Sequence, residues 1–346
     1  MIRKVSIPLI VGMIVAAGVG PSEALASVSL AISAVFLAYS SIRRDVRPAC
    51  LVLLFLSLGI FCYSSCAISV RSATASPFSA SAITKAIGSV PYRRNGTAAL
   101  LNALMTGHRE ELQDATVKAF RDSGASHILA LSGLHLGIIY ILISKPLSLL
   151  GNSPAAYRAR CLSTIAISGA YVLATGAGAS LVRAFLFIIL NEISRLHPER
   201  KRDGLLIFWT ALTVQAALNP LSVRSIGFQL SYLAVFGILT IYPTLKNFYP
   251  ATVSGWDIMH RIWDSAALSL SCQIFTAPLS FLYFGTFPKY FLITNLIALP
   301  LTEILIVGAV LCTLLTLAGI CPPALVNAID GIALALEESL KIIAGM

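Results

Sequence analysis

ACLVLLFLSLGIFCYSSCAI, residues 49–68, contains no charged side chain. At a rise of about 1.5 Å per residue, roughly 20 such residues match a hydrocarbon core about 30 Å thick. The run follows RRDVR at 43–47, a basic cluster of the kind that stays on the cytoplasmic side of a membrane. Another apolar run, 24–42, lies before that cluster, and a first one follows Arg3 and Lys4. The first run resembles a secretory leader, but the apolar pattern resumes directly after Pro21, Ser22 and Glu23. It therefore reads as a retained span, with the N-terminus inside.

Composition extends this reading to the whole chain. Of 346 residues, 57% are hydrophobic and 12% charged, against about 25% charged in an ordinary soluble domain. So little polar surface excludes a water-soluble globule of this length. The formal net charge is +10. The positive-inside rule accounts for much of that excess, so a polyanionic substrate is permitted rather than required. The seven cysteines form no Cys-x-x-Cys pair and mostly lie in apolar runs, so they read as small buried residues rather than metal ligands.

Three regions follow from the pattern. Residues 1–70 hold three spans. Residues 71–97 form an outer linker in which Arg71, Lys85, Arg93 and Arg94 meet no acid. Four outer bases run against the rule: either the orientation is reversed or this loop meets something negative. Residues 98–346 hold the remainder. It opens with an amphipathic helix at 98–122, whose charges place it along the interface. Apolar runs follow at 126–144, 161–175, 181–195, 204–218, 226–242, 262–284, 302–319 and 324–343. The run 181–195 meets RLHPERKR at 195–202, which the alternation independently places inside. A second amphipathic connector occupies 244–261, and 290–299, too short to span before Pro300, reads as half of a broken helix or a re-entrant arm. The fold class is an all-α integral membrane protein, a polytopic helical bundle of roughly ten to twelve segments, several broken or re-entrant, with amphipathic interfacial helices.

Polar residues inside the apolar runs mark the candidate site. DSGASHILALSGLHLG, 122–137, carries His127, Ser132 and His135; on one helix the histidines, eight apart, would share a side. Gly133 and Gly137 form a small-xxx-small pair. These groups either hold helices together or line a hydrated path. GAGASLVRA, 176–184, places Arg183 one turn into a helix, where its five donors suit a phosphate. Gln229 and Asn295 are further polar interruptions. No His-Glu-x-x-His and no phosphate-binding Gly-x-x-x-x-Gly-Lys-Ser/Thr loop occurs, so neither metal nor cofactor is expected.

The ordered blocks resemble the ComEC family of competence proteins, inner-membrane channels for imported single-stranded DNA. They are Thr106-Gly107-His108-Arg109, the stretch 120–137, the stretch 176–184, Asn219-Pro220, GFQLSYLAV at 227–235, and Pro278 through Phe284-Gly285 to Asn295-Leu296 and Pro300. The resemblance covers roughly residues 98–320. It implies a channel for single-stranded DNA, with His127, Ser132, His135, Arg183, Gln229 and Asn295 as path candidates and the basic linker attracting phosphates. Implied partners are the bilayer, a periplasmic DNA-binding protein and a cytoplasmic helicase-like motor. The OB-like and metallo-β-lactamase-like domains of longer members have no counterpart among these residues, so no enzymatic activity is expected and a separate nuclease would act. Two alternatives stand beside the channel. One is a secondary transporter of a small anion clamped by Arg183; the other is an intramembrane hydrolase using Ser132 and His135.

Overall fold

The computed structural model describes residues 2–42, 48–69, 81–151, 153–196, 203–248, 258–285 and 289–345. Among them the regular elements are helices: α1 (Arg3–Val19), α2 (Glu23–Ile42), α3 (Pro48–Ser69), α4 (Ser81–Gly88), α5 (Asn95–Thr106), α6 (Asp114–Asp122), α7 (Ser126–Leu129) and α8 (Gly133–Leu147). There follow α9 (Pro154–Ala174), α10 (Ala179–Arg195), α11 (Gly204–Leu218), α12 (Ile226–Thr240), α13 (Tyr242–Lys246), α14 (Ile258–Phe284), α15 (Phe291–Leu317) and α16 (Pro323–Ala344). Three of these, α3, α14 and α15, are long and apolar enough to cross a membrane. The protein is an all-α polytopic membrane protein. It divides into two compact units, Met1–Pro77 with Leu186–Val235, and Phe78–Phe185 with Phe236–Met346.

In the first unit α3 packs along both α1 and α2. Gly12 and Gly59 form the α1–α3 seam, where a Cβ on Gly12 would strike the Leu56 carbonyl oxygen and one on Gly59 that of Leu9. Lipid tails are as apolar as leucine, so helices in a bilayer gain by close fit and by hydrogen bonds across the seam. Such bonds are present. Ser33 and Ser57 hydroxyls meet at 2.7 Å between α2 and α3, and Ser6 meets Thr213 of α11 at 2.6 Å. Tyr232 of α12 donates to Gln215 Oε1 of α11 at 2.8 Å.

The second unit is built around α5. Leu100, Leu101 and Leu104 are fully buried in a cluster with Leu305 and Ala309 of α15 and Ala333, Leu336 and Leu340 of α16. The single interfacial helix expected over 98–122 is therefore two helices, and the first is a core helix. Gly107 explains the division: it takes φ +79° and its N–H returns to the Ala103 carbonyl, capping α5 before the charged turn that leads to α6. Tyr171 of α9 donates to the Met105 carbonyl at 2.7 Å, satisfying another group at that helix end.

Two further expectations are corrected. The short arm expected at 290–299 is the first part of α15, which continues through Pro300. Proline removes one backbone bond, whereas ending a helix there would strand several carbonyls in an apolar setting. Residues 81–97, part of the stretch read as a basic outer linker, contain α4 and join the core through Ile87 and Val90. The rest of that linker, Arg71 included, lies outside the described residues, as do the clusters at 43–47 and 197–202.

Candidate functional site

Within the second unit, helix is lost between α6 and α8. Ser123 ends α6, Gly124 takes φ +82°, and α7 runs four residues before an irregular link at 130–132. Such a break leaves backbone groups unpaired unless side chains reach them. Thr294 of α15 does so, donating from Oγ1 to the Ser123 carbonyl at 2.7 Å. His127 Nδ1 lies 3.1 Å from the Gly124 carbonyl. Because the helix is broken, His127 and His135 do not share a helical face: His127 is exposed, while His135 is 1% exposed.

Ser132 caps α8. Its Oγ accepts from the Leu134 N–H at 3.2 Å, and its own N–H donates to His135 Nδ1 at 3.1 Å, a reciprocal capping box. The neutral ring then carries its proton on Nε2, which is buried without a partner. Ser132 Oγ also lies 3.0 Å from Nδ1, the spacing of a nucleophile and base. A hydrolase would need a third group to orient the imidazole through Nε2, and none is present there among the described residues.

Arg183 joins this cluster. The turn before α10 carries Gly176 at φ +83° and Ala177 at φ +49°, the left-handed region that an L side chain rarely adopts. It starts α10 at Ala179, so Arg183 falls one turn in. Its side chain lies over Gly133: a Cβ added there would meet Nη2 at 2.9 Å and Ala184 Cβ at 3.2 Å. Gly133 thus makes room for a guanidinium, whereas Gly137 faces open space, and the two do not act as a pair. Arg183 is 9% exposed, and its guanidinium rests at the positive end of the α8 dipole. Two positive features at one buried place make an environment that favours an anion.

The structure thus joins Ser132 to His135 by hydrogen bonds and sets Arg183 over the Gly133 that follows Ser132. The other candidates have partners of their own. Asn295 turns toward α14, its Nδ2 3.5 Å from Ser269 Oγ. Gln229 belongs to the first unit, where it donates to the Val223 carbonyl at 2.9 Å and closes the turn before α12. Among the linker bases, Lys85 and Arg93 are exposed, but Arg94 is ion-paired at 2.7 Å with Glu337 of α16, which is 5% exposed. The Arg93 backbone N–H donates to Asp330 Oδ2 on the same helix at 2.9 Å. Arg94 is therefore a structural cation, not an open phosphate site. Thr294, Asp330 and Glu337 escape sequence reasoning. The signal of the two acids is faint: they lie seven positions apart in α16, which places both on one face.

The fold is that of an all-α polytopic membrane protein, with a buried arginine of α10 lying over the start of α8. The sequence model of the family described as "Competence protein" matches residues 104–346, most of the chain, and the protein belongs to that family. ComE operon protein 3 of Bacillus subtilis (strain 168) is 26% identical over 215 residues, covering 61% of this chain and 26% of the relative. Competence protein ComA of Neisseria gonorrhoeae is 27% identical over 137 residues, covering 38% of this chain and 20% of the relative. The matches thus span about a quarter or less of those relatives' length. No solved structure matches.

Proposed function

We propose that this chain is a path through the inner membrane for single-stranded DNA entering the cytoplasm during natural transformation, and that Arg183 is a station for the passing phosphates. Membership of the competence family supports the process. The observation that carries the station is the Arg183 guanidinium over Gly133, the first residue of α8, directly after the capping Ser132. A planar guanidinium presents paired donors to phosphate oxygens, and a helix N-terminus favours the same charge. Phosphate contacts are blind to base sequence, as a general uptake path requires. The polypeptide acts as a conduit rather than an enzyme. A cytoplasmic helicase-like motor pulls the strand, a periplasmic protein delivers it, and a separate nuclease removes its complement. The N-terminus is cytoplasmic.

A deletion strain tests the reading. DNA should bind the cell surface normally and fail to become nuclease-protected inside. Persistent internalisation refutes the channel. Uptake of a labelled small anion by proteoliposomes, with transformation intact in the deletion strain, establishes a transporter instead. Gly133→Ala sharpens the result, because the added Cβ pushes on the guanidinium without removing its charge. Uptake should fall severalfold while the protein still accumulates.

A further inference from the structure

Helix α4 borders an apolar groove that lies apart from the station described above. Its residues divide into two sides. Ala82, Ile83, Ala86 and Ile87 share one, and Lys85 lies on the other. The apolar side packs against α5 and α15, and Ile87 is buried there. The packing is incomplete. A groove of about 270 Å³ remains between the three helices, lined mainly by apolar side chains, among them Met105 of α5 and Leu314 of α15. Leu314 is still 59% exposed, so the groove is open along α15, a helix long and apolar enough to cross a membrane. On the α4 side two of the four lining residues are alanines, which leave the space that longer side chains would fill.

We propose that this groove holds one acyl chain of an anionic phospholipid whose headgroup lies at Lys85. An apolar cavity gives water no partners and stays dry, and on the open side of this one the solvent is hydrocarbon. Its size is at the low end of small-molecule sites, about 300–1,000 Å³, and suits part of a single chain. Helix α4 has the pattern of a helix lying in the membrane interface, with its apolar side toward the acyl layer and its charge toward the headgroups. Lys85 is exposed in the last turn of that helix, and a lysine covers apolar surface with its stem while its ammonium reaches the polar layer. Charge selects the class of lipid. No acid occurs between Asp45 and Glu110 in the sequence. Arg94 in that stretch is neutralised by Glu337, whereas Lys85 stays exposed and matches an anionic headgroup. A nucleic-acid strand would match Lys85 but not the apolar groove beside it. The site does not rest on the DNA reading.

The test uses the full chain in phosphatidylcholine vesicles that carry a small share of phosphatidylglycerol, or of phosphatidylcholine, with a diazirine on one acyl chain. After illumination, peptide mass spectrometry maps the adducts. Phosphatidylglycerol should label residues 82–87 and 310–314 severalfold more than phosphatidylcholine does. Lys85→Gln, a change at an exposed position, should remove that excess. Ala86→Phe fills the groove and should abolish labelling there, while labelling of the exposed end of α14 at 281–284 stays constant. Equal labelling by the two lipids, an excess that survives Lys85→Gln, groove adducts that persist in Ala86→Phe, or adducts no denser in the groove than on α14 overturns the proposal. So does a single-stranded oligonucleotide that displaces the labelled phosphatidylglycerol, which would assign Lys85 to nucleic acid instead.

Discussion

Where α1 meets α3, two continuous helices touch through Gly12 and Gly59. Between α6 and α8 the helix is given up, and side chains take over: Thr294 for the Ser123 carbonyl, Ser132 and His135 for the start of α8. The first arrangement needs surface fit alone. The second requires polar side chains where the helix breaks. In a bilayer, breaking a helix and building a polar site are one act, because an unpaired backbone group has no water to fall back on.

The comparison can be broken most sharply at the seam. Gly59→Leu forces a side chain into the Leu9 carbonyl and should cost about 3 kcal/mol, the upper range of overpacking. Thermal unfolding in detergent and the amount of protein in the membrane fraction measure it; wild-type values for both would disprove the tight seam. Arg183→Ala should do the opposite, leaving the protein in the membrane while nuclease-protected DNA uptake drops. A charged hydrogen bond worth about 1.5–3 kcal/mol corresponds to roughly a 10- to 100-fold loss. Unchanged uptake removes Arg183 from the path.

A smaller effect tests whether α16 is clamped by residues 92–94. Arg94 is about a third exposed, so solvent screens its pairing with Glu337. Glu337→Ala should then cost about 1–2 kcal/mol. In a double-mutant cycle, adding Arg94→Ala should cost little more; full additivity would mean that the pair does not couple. The smallest effect belongs to the bridge over the break. Thr294→Val deletes the bond to Ser123 and should lower stability by about 1 kcal/mol. In a chain this long the melting temperature should fall by about 2 °C. No fall would show that the Ser123 carbonyl finds another partner.

Much of this was legible in order and not in space. The uncharged run at 49–68 and its repeats determine that the chain is helical and lies in a membrane, because only lipid tolerates so little charge. The same pattern singled out Ser132, His135 and Arg183, since polar groups in apolar runs are costly and kept for a purpose. The errors arose where one dimension was asked for depth. Pro300 reads as a stop, but α15 continues through it, since losing one bond costs less than stranding a helix end. Residues 98–122 read as one surface helix, yet Gly107 divides them and α5 is buried on nearly every side.

What the sequence determined by itself was the solvent, the helices and the residue types able to hold an anion, all set by composition and local pattern. What only the tertiary structure decided was their partners. Arg183 lies over Gly133, some fifty positions away in the chain, because glycine alone leaves room there for a guanidinium. Arg94, an apparently open base, is neutralised by Glu337 from the last helix. Such pairings join residues far apart in the chain, and no periodicity encodes them; they exist only once the helices have packed.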